Sequence, residues 1–180
     1  MNRHCLLSLV AFFFVTLLSA PLHAAIYLKL DEIRGDVQAD GHKDEIELNS
    51  WGWGVMGGTK GDLECPQSID VVKAFDRSSM KIAEYAALSK FIPQAIVTLT
   101  RLTDKNQVID YLVLDLSEVY FRDYEISSDS YSGLPTESFT IDFKEVLVRQ
   151  MGAPSKPGQQ PQEIHEFSLD LKVLGGCTLY

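Results

Sequence analysis

The 180-residue chain carries 16 Lys and Arg against 25 Asp and Glu, a formal net charge of −9. So acidic a surface repels phosphate backbones, which argues against nucleic acid as a partner. With 46% hydrophobic residues, the chain has enough apolar material for one domain with its own core.

Residues 1–25, MNRHCLLSLVAFFFVTLLSAPLHAA, read as a secretory signal peptide. Arg3 opens the segment, an apolar run covers residues 6–18, and Pro21 breaks any helix before a cleavage region at Leu22-His23-Ala24. The run is short for a membrane span, which needs about 20 residues. Cleavage would leave residues 26–180 as one domain at a net charge of −10, because Arg3 is the only charged residue lost. The expected location is outside the cytoplasm, either periplasmic or secreted. No methionine lies between Met1 and Met56, so no internal start removes the leader and keeps the domain whole. Of the three cysteines, Cys5 leaves with the leader. Cys65 and Cys177 remain, and in an oxidising compartment they are expected to form one disulfide.

The mature chain opens on IYLKLDEI, residues 26–33, an alternating strand. Residues 35–42 form a polar loop. Residues 45–55 make a second strand that ends in Trp51-Gly52-Trp53-Gly54. Residues 57–66 are turn-rich, and 69–75 form a third strand. The period then changes. In SSMKIAEYAALSKF, residues 78–91, Met80, Ala83, Ala87 and Phe91 recur at helical spacing, with Ile82, Tyr85 and Leu88 widening the stripe. Ser78 or Ser79 serves as N-cap and Pro93 closes the segment. Residues 95–102 and 108–121 make a hairpin around DKNQ. A turn at Ser132-Gly133 leads to a strand over 137–150. Residues 151–162 form a Pro/Gly/Gln loop, and EIHEFSLDLKVL, residues 163–174, is the final strand. Many strands and one helix predict a mainly β protein: an antiparallel β-barrel of two sheets with one α-helix packed on the outside. A β-sandwich is the alternative.

Signatures of catalysis are missing from the sequence. His42 and His165 stand far apart and no His-Glu-x-x-His occurs, so zinc hydrolysis is not indicated. No Gly-x-Ser-x-Gly elbow is present. Gly57-Gly58-Thr59-Lys60-Gly61 has the wrong order for a phosphate loop and reads as a turn. Asp40, Asp44 and Glu45 lack calcium-loop spacing. Cys65, followed by Pro66, has no adjacent base to activate it. The expectation is a non-enzyme without cofactor or metal.

The order of motifs resembles the Hcp family, the ring-forming inner-tube proteins of bacterial type VI secretion. The residues that carry the resemblance are Glu45-Ile46-Glu47 running into Ser50-Trp51-Gly52-Trp53-Gly54, the Ile92-Pro93 step, Leu134-Pro135-Thr136-Glu137-Ser138 before an alternating strand, and EFSLDLKV near the end. It spans about residues 26–174. The resemblance implies a barrel protomer, hexameric rings, head-to-tail stacking into a tube, a contractile sheath, a spike and effector cargo in the bore, with no catalysis. The leader and the Cys65/Cys177 pair depart from the family pattern and suit an exported relative. A monomeric periplasmic or secreted binding or adhesion module that kept the fold is the alternative.

In an extended segment Trp51 and Trp53 share one face, and Gly52 and Gly54 share the other. The tryptophans would anchor the core or a seam. The glycines would admit a neighbouring backbone or a barrel corner. A ring needs one patch to meet a different patch on the next copy. Trp51, Gly52, Trp53 and Gly54 are therefore candidate interface residues. Tyr124 and Tyr131, from an aromatic cluster with Tyr120 and Phe121, join them.

Overall fold

The computed structural model describes residues 24–55, 68–130, 133–154 and 161–170. Residues 1–23 of the leader, Cys65, Cys177 and Tyr131 lie outside the described residues. Within them are β1 (Ile26–Leu30), β2 (Ile46–Leu48), β3 (Ser50–Gly52), β4 (Ile69–Ala74), α1 (Ser79–Ala87), β5 (Phe91–Leu102), β6 (Val108–Ser127), β7 (Thr136–Asp142), β8 (Glu145–Gly152) and β9 (Gln162–Asp170). The protein is mainly β with one helix, and every strand pairing is antiparallel.

The spine is β6, 20 residues long. One flank pairs with β5 from Phe91↔Tyr120 to Leu102↔Val108. The other flank pairs first with β8, from Leu112↔Gln150 to Ser117↔Glu145, and then with β7, from Tyr120↔Asp142 to Ser127↔Thr136. The register of Ser117↔Glu145 is the same as that of Tyr120↔Asp142. The single strand expected over 137–150 thus keeps its register across the break at Phe143 and Lys144, and shifts only further on, at the bulge between Arg122 and Glu125 of β6. The Lys144 N–H still donates to Ser117 O at 3.0 Å, and Glu118 takes φ +50° beside the gap. From this line the sheet forks. β7 hands on to β4 and then β3, while β8 hands on to β9.

The hydrogen-bonded path β2-β1-β5-β6-β7-β4-β3 begins and ends on one chain segment. The strand expected over 45–55 splits between the two ladders at Asn49, whose N–H donates to Val72 O at 2.8 Å. Inside lies a continuous apolar cluster that includes Leu28, Ile46, Ile69, Val97, Leu114, Leu116, Ile141 and Val146. Period-2 alternation put these residues on the inner face, so that burying them orders the strands.

The helix corrects the sequence reading in two respects. It stops at Ala87, before Pro93: Ser89 adopts φ +48°, and the Lys90 N–H closes the end on Tyr85 O at 3.0 Å. Pro93 already lies in β5. The buried face is also rotated. Met80, Leu88 and Phe91 are more than half exposed, whereas Ser79, Ile82 and Tyr85 are buried with Ala86 packed beside them. The physical reason is Ser79, whose hydroxyl must sit beneath the helix on Lys73 Nζ at 3.2 Å. That contact fixes the helical phase one residue from the Met80, Ala83, Ala87 stripe, on Ser79, Ile82 and Ala86.

Ile82→Ala should accordingly lose about 2–5 kcal/mol of stability. Met80→Ala should change it by less than about 0.5 kcal/mol. Urea denaturation followed by circular dichroism distinguishes the two, and the reverse ranking would restore the Met80 stripe as the inner face.

Candidate assembly surface and buried polar network

Trp51 lies in β3 opposite Val71 and is half-buried against the core. Trp53 follows β3 and is half-buried too. Its ring stacks on Phe167 of β9, with centroids 6.4 Å apart and planes 14° from parallel. This contact joins the two arms of the fork. The indole Nε1 is buried and has no hydrogen-bond partner. Gly52 is exposed, and a Cβ built on it would meet nothing within 4 Å. The space into which a side chain at that position would point is therefore open among the described residues, although its backbone pairs with Asp70. Gly54 is half-buried.

Next to this corner lies a surface the sequence reading missed. Among the described residues β9 pairs only with β8, and no other described strand takes up its outer edge. Val55, Ile164 and Phe167 are all at least 40% exposed. The only hint in the sequence was two large apolar residues in a strand that follows a polar linker. Unpaired edges flanked by apolar side chains invite another chain.

Tyr124 is placed differently from its neighbours in the candidate set. Its hydroxyl donates to Glu137 Oε1 at 2.7 Å. Burial, then the hydrogen bond to Glu137 and its charge, raise the phenol pKa well above its ordinary value. The hydroxyl is therefore engaged inside the protomer.

Glu137 leads to the most concentrated polar network of the described residues. Lys73 and Glu137 are fully buried cross-strand partners in the β4–β7 ladder. Lys73 Nζ donates to Glu137 Oε2 at 2.7 Å, Asp76 Oδ1 at 2.8 Å, Ala74 O at 2.8 Å and Ser79 Oγ at 3.2 Å. Asp76 Oδ1 also accepts the Ser78 N–H at 2.8 Å, which fastens the start of α1. A serine beside a lysine can be a nucleophile and its base only if the lysine is neutral and substrate can reach the pair. Here Lys73 Nζ is engaged by two carboxylates and the pair is closed to solvent. The arrangement is structural.

A second set of ion pairs fastens the 35–45 loop. A Cβ on Gly35 would lie 2.2 Å from Glu45 O, so only glycine fits that crossing. Arg77 Nε donates to Gly35 O at 2.5 Å, and Nη2 donates to Asp44 Oδ1 at 2.6 Å. His42 is buried and stacked on Tyr27 at 4.1 Å. Its Nδ1 meets Glu45 Oε2 at 2.8 Å, and its Nε2 meets Asp110 Oδ1 at 3.1 Å. Burial alone would lower the imidazole pKa, but hydrogen bonds to Asp110 and Glu45 and their charges outweigh it and raise the value to about 9. The loop expected to be merely polar is held by a charged histidine.

Comparison with known proteins places this architecture. The family model "Type VI secretion system effector, Hcp" matches residues 27–149. Protein hcp1 of Pseudomonas aeruginosa is 26% identical over 131 residues, which cover 68% of this chain and 80% of that protein. The crystal structure of Hcp1 from Salmonella typhimurium superposes with a TM-score of 0.68 at 24% identity, covering 83% of this chain and 96% of that one. A structure described as a type six secretion system protein gives a TM-score of 0.70 at 22% identity, with the same coverage. At these identities the two structures speak for the fold alone.

Two outcomes follow. Lys73→Met strands Glu137 in the core and should cost about 3–5 kcal/mol, whereas Lys73→Met/Glu137→Gln should cost less because no lone charge stays buried; denaturant titration of both measures the difference. The His42 pKa is raised on folding, so its contribution is complete below its unfolded value of about 6.5 and is lost as pH rises through about 9. The denaturation midpoint should fall across that window, and His42→Gln should remove this part of the fall.

The fold, the shared motifs and a family match that covers most of the ordered domain agree: this chain belongs to the Hcp family, the structural tube proteins of the type VI secretion system.

Proposed function

We propose that the mature chain assembles into hexameric rings that stack into a tube, with the β2–β3 corner and the outer edge of β9 forming one side of the seam between copies. The family match over residues 27–149 carries the reading. The β9 edge that no described strand takes up, the exposed Val55, Ile164 and Phe167, and the open space where a side chain at Gly52 would point support the position of the seam. The protomer is a barrel closed through Asn49, a reading supported by the return of the strand path to its starting segment and by the Asn49–Val72 hydrogen bond. Trp51 and Trp53 stiffen the corner from inside, and Gly52 and Gly54 leave its outer side low enough for a neighbour to approach.

In this reading the protein is exported after loss of residues 1–25, and a Cys65–Cys177 bridge holds the chain end in an oxidising compartment. Its work is structural and needs no cofactor. Its partners are copies of itself and, where a full secretion apparatus exists, sheath, spike and effector cargo. The leader supports a second reading, a monomeric periplasmic or secreted binding or adhesion module on the same fold.

Native mass spectrometry separates the two: a hexamer is expected, and a strict monomer at high concentration selects the binding module. The same sample should gain two hydrogens on reduction if the bridge is present. Gly52→Arg should leave the melting temperature within about 2 °C of the parent, as surface changes do, while dissociating the ring. A hexamer that survives this change would move the seam elsewhere.

A further inference from the structure

The outer face of the β1–β5–β6–β8 sheet carries a cavity of about 370 Å³, within the size range of small-molecule sites. Its floor is Ile96 and Thr98 of β5 with Val113 of β6, and Met151 and Arg149 reach in from β8. One wall is the 41–45 loop, fixed in place by the His42 contacts with Glu45 and Asp110, and the other is Pro161. Nothing in the tube-forming role calls for this cavity.

Its chemistry is unfinished in one respect. Arg149 Nε is buried and has no hydrogen-bond partner. Its Nη2 comes only within 3.8 Å of Asp115 Oδ2, beyond hydrogen-bond distance. The Arg149 side chain as a whole is one-third exposed, and the planar edge of a guanidinium is shaped for a carboxylate. Lys29, exposed at the same cavity, makes no ion pair among the described residues. The cations Arg149, Lys29 and His42 face Glu45 and Asp110 in the lining, with Asp115 just beyond. The lining itself thus carries one net positive charge, which suits a single negative charge better than a doubly charged phosphate. The apolar floor suits a hydrocarbon body.

We propose that this cavity binds a small monocarboxylate: the carboxylate bridges Arg149 and Lys29, and an aliphatic or aromatic body lies over Ile96, Val113 and Met151. The ligand gives the exposed part of the Arg149 guanidinium an acceptor and displaces water from the apolar floor.

Isothermal titration of the purified chain with hexanoate and benzoate tests this, with hexanamide and inorganic phosphate as controls. Saturable binding of either acid, absent with the amide and weaker with phosphate, is expected. Arg149→Gln should weaken hexanoate about tenfold or more, as loss of a charge-assisted bond implies. Lys29→Gln, an exposed change that leaves the fold alone, should weaken it to a lesser degree. The proposal is overturned if neither acid binds, if the amide binds as well as the acid, if phosphate binds more tightly, or if Lys29→Gln binds as the parent does. Binding confined to a peptide with a free C-terminal carboxylate would overturn it in favour of a protein partner.

Discussion

The molecule is organised around one continuous ladder. β6 runs for 20 residues, and its partner line, β7 followed by β8, keeps a single register past the break at Phe143 and Lys144. Both arms of the fork hang from that line. A one-residue slip would turn every inward side chain of the pair outward, so the positions of β4, β3 and β9 all depend on this register. The interruption matters as well. Where β7 gives way to β8, the sheet can direct its outer edges to two places, which a straight uninterrupted pair would not do.

The second constraint is chemical. Lys73 and Glu137 face each other across β4 and β7, with the start of α1 folded over them. A buried ion pair adds little net stability over apolar residues of equal size, but it tolerates no misplacement. A hydrophobic replacement of similar size would accept several helix phases, whereas an ammonium that needs Glu137, Asp76 and Ser79 accepts one. This accounts for a short helix that exposes Met80 and Leu88 and buries two serines at its start.

Much of the fold was legible because inner faces follow a period of two. Strand identity, the hairpin around DKNQ and the single line over 137–150 all came from that alternation. So, in principle, did the ion pair. Lys73 is in phase with Ile69 and Val71, and Glu137 is in phase with Phe139 and Ile141, a sign of charge on a buried face. What alternation does not encode is which strands meet, and the pairing of 73 with 137 exists only once β4 lies beside β7. The roles of His42 and Arg149 were hidden for the same reason, since Asp110, Tyr27 and the sheet-face cavity come from distant parts of the chain. The helix was misphased because an apolar count ignores a serine hydroxyl that has a partner. The Trp-Gly corner was readable as a bend with its indoles inward, but its neighbour Phe167 lies more than a hundred positions away in sequence.

The division of one strand at Asn49 has a consequence for size. Residues on either side of that position belong to different ladders, each hydrogen-bonded to its own partner. The turn between them is therefore set by two sets of backbone bonds and cannot relax without breaking one. If copies dock against this corner, each inherits the same wedge. A constant wedge closes a circle after a fixed number of members, so the count of subunits would be written into a three-residue bend and not into the chemistry of the contact.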